Sequence, residues 1–454
     1  MPPDYTPFSL LTDVGWISLL LVIGNLARRF IPVFQTLMIP APMTAGLLGL
    51  ALGPHGAGII GFSDQLSTYA GILIAIVFGA LPYGMEFGGH LAKGARTMWS
   101  YSVGMYMGQW GLLILFGVLL LTPLFGTPDW FGMMLPVGFV GGFGVAAAVG
   151  ASLTDAGAEA AMTLGFTSAA VGTIVAIIGG LALSKWGSVT GRTSQLPEFR
   201  KLPEDLRTGL ISLPGQRPSV GRATTNPSSI EPIALHGAVI ILTVFAAHVI
   251  TGAVAEAVPW LDIPLFAAAF VLGLAAVGVL HLVKAPHYVD KELSSSISGA
   301  ATDFLVAFGV ASIVPSVVAE YITPLLILFA AGLAYCLIVF FLLSPAMFRR
   351  DWLERGIFGW GWATASVAMG IALLKIVDPK LKSGTMEEFG IAYVGFAPFE
   401  IAMAILAPIV VLAGVTAWFG AGATLAAAVI IGMAFVFKWV GDTATAQEAA
   451  AARE

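Results

Sequence analysis

Apolar residues gather in eleven long runs, near 9–27, 37–54, 66–85, 98–122 and 165–184, and then near 233–256, 263–281, 298–314, 323–344, 391–412 and 417–438. Each comes close to the ~20 helical residues that cross a hydrocarbon core about 30 Å thick. Between the two groups the pattern stops. Residues 185–232 carry six prolines, many Ser and Thr, and seven basic residues, which predicts a solvated linker without its own core. The expectation is an all-α polytopic membrane protein. It has an N-terminal half of five helices over 1–184, the linker over 185–232, a C-terminal half of five helices over 233–416, and an extra helix with a tail over 417–454.

Two more apolar stretches are too rich in glycine for plain spanning helices. "GFVGGFGVAAAVG" at 138–150 and "GIFGWGWATASVAMG" at 356–370 each lie between the fourth and fifth helix of a half, and Gly138 and Gly141 stand 218 residues before Gly356 and Gly359. Short, Gly-interrupted segments at corresponding places in two halves point to the binding site of a secondary transporter. The other reading is that these glycines are close-packing surfaces of ordinary helices.

Charge orients the chain, because cytoplasmic loops gather Lys and Arg. Suppose the N-terminus is outside and each glycine-led stretch returns to the side it left. Then Arg28, Arg29, Lys93, Arg96, the linker's Lys185, Arg192, Arg200, Lys201, Arg207, Arg217 and Arg222, and every later basic residue from Lys284 through Lys380, Lys382 and Lys438 to Arg453 fall inside, which accounts for all 21. Asp64, Asp129, Asp155, Glu159, Asp262 and Glu320 fall outside. A full crossing by the first stretch would export the linker instead. The charges therefore predict re-entrant segments at about 131–155 and 355–378, entering from opposite faces, with linker and C-terminus cytoplasmic and the second half an inverted copy of the first.

Composition removes other classes. With 58% hydrophobic and 10% charged residues, against roughly 25% charged in a soluble domain, no water-soluble globule is expected. The net charge of −5 forms no basic stripe, so nucleic acid is not an expected partner. Cys336 is the only cysteine, which excludes an intrachain disulfide or a Cys-based metal cage. The opening "MPPDYTPFSLLTD" lacks a basic region, so the first run is expected to remain as a helix. No H-E-x-x-H or G-x-S-x-G occurs, and neither an enzyme nor a cofactor is expected.

Backbone that leaves the helix inside a bilayer survives only against protein or a wet cavity. Two re-entrant tips meeting near the midplane make such a cavity, with helix N-termini suited to a carboxylate and bare carbonyls suited to sodium. Candidate solute ligands are Gly141, Gly142, Phe143, Gly144 and Ser152 at the first tip, and Gly359, Trp360, Gly361, Thr364 and Ser366 at the second. A single Ser or Thr there equally serves its own helix by bonding back to the backbone.

These stretches resemble the sodium/glutamate symporter family of bacteria. The likeness runs from "IPAPMTAGLL" at 39–48 through "LAKGAR" at 91–96 and "GFTSAAVGTIVAIIGG" at 165–180 to the second glycine segment. Where the family's signatures are similar to GGHGT and GHCGFG, this chain has "GGFGV" and "GIFGWG", with Phe143 and Val145 in place of a histidine and a threonine, and Ile357 in place of a histidine. The resemblance implies sodium-coupled uptake of an amino acid or other small carboxylate. It also implies a homodimer in the bacterial inner membrane and a mobile domain that carries its site like an elevator. Phe143, Trp360 and Trp362 suit a less polar or aromatic carboxylate.

Intramembrane charge adds candidates for the coupling ion. Glu400 lies nine residues into the run 391–412, about 14 Å deep at 1.5 Å per residue, where a carboxylate costs on the order of 3 kcal/mol. Family members are similar here, "FID" against "FEI". Asp303 and Thr173 complete the cation candidates; Lys375 either draws an anion, pairs with Asp378 or reaches the interface. Two rival readings stay open: a proton-coupled antiporter or exporter of an organic anion, and a channel or non-transporting receptor.

Overall fold

A computed structural model describes residues 5–37, 39–84, 93–192, 208–211, 217–257, 263–378 and 381–440. The expectations for Arg200, Lys201, Arg207, Asp262, Lys380, Arg453 and the tail lie outside the described residues, as does the start of "LAKGAR".

The elements are helices: α1 (Pro7–Phe30), α2 (Ala41–Leu52), α3 (Leu66–Gly84), α4 (Lys93–Phe116, prolonged by a π turn Gly117–Leu121 and a last turn Thr122–Phe125), α5 (Met134–Gly138), α6 (Gly142–Asp155), α7 (Ala160–Val189), α8 (Pro232–Ala257), α9 (Leu265–Leu282), α10 (Lys291–Ala311), α11 (Ile322–Ile338, prolonged by a π turn Val339–Leu343 and Ser344–Met347), α12 (Trp352–Thr364), α13 (Val367–Val377), α14 (Thr385–Leu412) and α15 (Thr416–Val436). Ten helices among the described residues are long and apolar enough to span a membrane. The protein is a polytopic all-α membrane protein.

The run 37–54 is a correction. Its helix, α2, has only 12 residues, about 18 Å at 1.5 Å per residue, because Pro40 stands at its start and Gly53 and Pro54 close it. Elsewhere polar turns lengthen the helices beyond their apolar runs. Asp290 accepts the Leu293 N–H at 2.9 Å and starts α10 seven residues before the run at 298.

The helices sort into two groups by what they touch. In one, α3 packs on α9 and α10, α10 on α2, α1 on α2 and α8 on α9. In the other, α7 carries both broken hairpins, α5–α6 and α12–α13, while α4 packs on α14 and α15. The arm α6 lies between the groups, against α3 and α10 on one side and α7 and α14 on the other.

Close approach to α7 is made by small residues. A Cβ on Gly179 would enter the Trp360 ring, and Gly180 and Gly187 lie against Leu373 and Leu353, so a glycine-lined helix face seats α12 and α13. The two π turns stand at like places, each before a hydroxyl–proline pair, Thr122–Pro123 and Ser344–Pro345. Proline offers no N–H to the preceding turn, and a wide turn absorbs the defect.

Candidate functional site

The first hairpin breaks at 139–141 and the second at 365–366, and the two breaks meet. Phe139 leaves α5 at φ −76°, ψ −90°, and α6 opens on Gly142 at φ +62°. A Cβ on Gly142 would stand 2.6 Å from the Ala365 carbonyl oxygen, so both its backbone angle and its space require glycine. On the other side Ser366 is extended, at φ −169° and ψ 163°, and its hydroxyl accepts the Met369 N–H at 3.3 Å.

One side chain joins the breaks. Gln109 of α4 is fully buried; its Oε1 accepts the Val140 N–H at 3.2 Å and its Nε2 donates to the Ala363 carbonyl at 2.9 Å. Two backbone groups freed by two separate breaks are thus satisfied by one amide. The sequence signal for it was a lone amide in an otherwise apolar run, which chain-order reasoning passed over.

What the breaks leave unpaired defines the site's chemistry. The Phe143 and Gly144 amides, in the first turn of α6, find no acceptor among the described residues. The extended Ser366 removes the turn that would otherwise receive the amides of Val367 and Ala368 at the start of α13. Opposite them, the Thr364 and Ala365 carbonyls take no hydrogen bond among the described residues, and Gly172 of α7 lies against the Thr364 oxygen. The end of α12 thus meets the start of α6 at Gly142 and gives way to the start of α13, and free amides there suit an anion while bare carbonyls suit a cation.

The model of the sodium/glutamate symporter family matches residues 8–370. The chain belongs to the sodium/glutamate symporter family. No curated protein matches the chain.

The family match takes in both tips and Gln109 and ends before α14 and α15. Within it, the hydroxyls singled out in the sequence bond to their own helices: Ser152 to the Ala148 carbonyl at 3.1 Å, Thr173 to Ala169 at 2.9 Å, and Thr364 to Trp360 at 2.7 Å. Their oxygen lone pairs remain available. The structure places Gly359 and Gly361 inside α12, packed on Tyr101 and Gly370, short of the break that Ala365 and Ser366 form. Trp360 donates its Nε1–H to the Ala176 carbonyl at 3.2 Å, and Phe143 stacks on Phe166 at 6.4 Å.

Beyond the family match, Glu400 accepts the Tyr393 hydroxyl at 3.1 Å. Tyr393 belongs to a column with Phe389 and Phe396 that meets Trp362 of α12 edge to face, at 4.6 Å for Phe396. Asp303 is exposed on α10, the helix that also packs on α6. Asp378 accepts the backbone N–H groups of Lys382 and Ser383 at 2.9 and 2.8 Å, which is its engagement rather than Lys375.

A cavity of about 480 Å³ lies between α3, α10 and α14, lined by Ser295, Ser298, Gly390, Tyr393, Ala397 and Pro398. Another of about 240 Å³ lies at the other end of α3, lined by Ile74, Ser152, Thr154 and Asp155 among others. Ile74 comes within 3.7 Å of the Cβ position of Gly144, the first tip.

The base of the second hairpin is held by a group that sequence reading counted only as a loop charge. Arg355 is fully buried and grips Glu388 with two bonds, Nε to Oε2 and Nη2 to Oε1, both 2.9 Å. It also donates to the Ser383 and Arg350 carbonyls at 2.8 and 3.0 Å, and lies over the Phe348 ring. This planar fork ties the start of α12 to the start of α14.

Proposed function

We propose that the protein is a sodium-coupled symporter of a small carboxylate or amino acid, working in a bacterial inner membrane. The observation that carries this is the meeting of two broken hairpins, Gly142 against the Ala365 carbonyl, each of which leaves first-turn amides without acceptors, at Phe143 and Gly144 and at Val367 and Ala368, beside unpaired carbonyls. The amides hold the carboxylate. The Thr364 and Ala365 carbonyls with the Thr173 hydroxyl hold sodium, and Glu400 serves the coupling ion from α14. Phe143 and Ser152 face the solute's apolar part and its approach.

In this reading the halves are inverted copies, the N-terminus is outside, and the linker and C-terminus are cytoplasmic. The group that holds both hairpins moves past the group built on α3 and α10, within a homodimer, and the two cavities along α3 are the solute's approaches from either face.

A proton-coupled antiporter is the second reading, favoured by Glu400 having a hydroxyl rather than a basic residue as its partner among the described residues. Thermal melting of the purified protein against a panel of carboxylates, in sodium or in choline chloride, separates them. A ligand at a hundredfold excess over Kd adds about 2.7 kcal/mol to the folded state. Stabilisation by a carboxylate only when sodium is present is the expected result. Stabilisation that tracks pH and ignores sodium selects the second reading, and none by any carboxylate rejects both.

A further inference from the structure

Gln109 uses its whole amide on backbone that would otherwise be orphaned. Oε1 faces the Val140 N–H of the first tip, and Nε2 faces the Ala363 carbonyl of the second, with Cys336 Sγ 3.4 Å away. The tips come from opposite halves of the chain, and Ala363 is 254 residues from Gln109. Only a side chain with a donor and an acceptor fixed in one plane joins them. Asn is a methylene too short, Leu has neither group, and an ionised carboxylate has no donor.

We infer that Gln109 is a positioning residue that locks the two tips in register, so that the amides of α6 and the carbonyls at 364–365 form their sites together and the affinities for solute and sodium rise and fall as one. This deepens the reading of the tips as a joint solute and sodium site and rests on it. A helix-filling role alone would need only bulk at this position. The bonds make a different demand, because a carboxyl in the same place satisfies both partners when protonated and repels the Ala363 oxygen when ionised.

The test uses the full-length protein. Hydrogen exchange is followed by mass spectrometry in peptides spanning 135–145 and 360–370, and uptake of radiolabelled L-glutamate is followed in proteoliposomes under a sodium gradient. Gln109→Leu is expected to speed exchange in both peptides together, roughly tenfold or more, since each loses its partner. Gln109→Glu is expected to regain protection and uptake at about pH 5.5 and lose both at about pH 9.5, on either side of the range in which a buried carboxyl takes up a proton, while the unaltered protein shows no such reversal. Exchange that rises in one peptide alone, or a Gln109→Glu variant whose protection is the same at both pH values, overturns the inference. Absence of L-glutamate uptake by the unaltered protein counts against that solute, and the exchange data still decide the role of Gln109.

Discussion

A carboxylate in an apolar run announces itself, because its cost is large; an amide does not. Glu400 was legible for that reason, and its hydroxyl partner Tyr393 stands seven residues earlier on the same helix, two turns away. Gln109 was not, although the structure gives it the bonds that join both tips. Glycine was legible as a type and less so as a position. Gly142 sits where φ is positive, whereas Gly359 and Gly361 are helix-packing residues inside α12.

A prediction at this scale concerns Glu400→Gln. The amide oxygen still accepts the Tyr393 hydroxyl and an expensive intramembrane charge is gone, so melting temperature is expected to hold or rise. Solute stabilisation is expected to lose its dependence on the coupling cation. A variant whose ligand shift still follows the cation as before removes Glu400 from the coupling site.

At the scale of elements, apolar length located the long helices because burial in lipid forces every backbone group into an internal hydrogen bond. It misjudged α2, where proline and glycine cut the helix short, and it began α10 late, since a polar first turn capped by Asp290 carries no apolar signal. The second tip was displaced for a related reason. An extended Ser366 that caps α13 through its own hydroxyl makes a sharp break without glycine.

The Arg355–Glu388 fork was unreadable because its partners are 33 residues apart and meet only through the packing of α12 on α14. Removing one member leaves a buried charge without its mate, so Arg355→Ala is expected to cost about 3–5 kcal/mol in a denaturation series. Replacing both, as Arg355→Met with Glu388→Leu, is expected to restore most of that stability. A double variant as unstable as Arg355→Ala would place the loss elsewhere, in the bonds to Ser383 and Arg350.

For the whole molecule, composition and run length settled the class, and nothing local in the sequence revealed that the halves interleave. Helix α3 of the first half packs on α9 and α10 of the second, and α7 of the first carries the second hairpin. Such contacts depend on shape across hundreds of residues, and glycine on α7 is their visible trace.

Orientation is where the charge pattern makes its strongest global demand. If each hairpin turns back, exposed Ala156 after the first hairpin and exposed Ser228 in the linker lie on opposite faces of the membrane. The native Cys336 is buried, which leaves a clean background for labelling. In intact cells, Ala156→Cys is expected to react with an impermeant maleimide added outside, and Ser228→Cys only after the membrane is opened. Helix α7, 30 residues long and apolar enough to span a membrane, separates the two positions. Equal protection or equal reactivity of the two cysteines requires the chain between them to cross an even number of times. In that case α7 does not carry the chain across alone; labelling of Ser228→Cys from outside with Ala156→Cys protected is instead what a full crossing by the glycine-led segment demands, and that segment must then be read as part of the scaffold instead of a turn that holds solute.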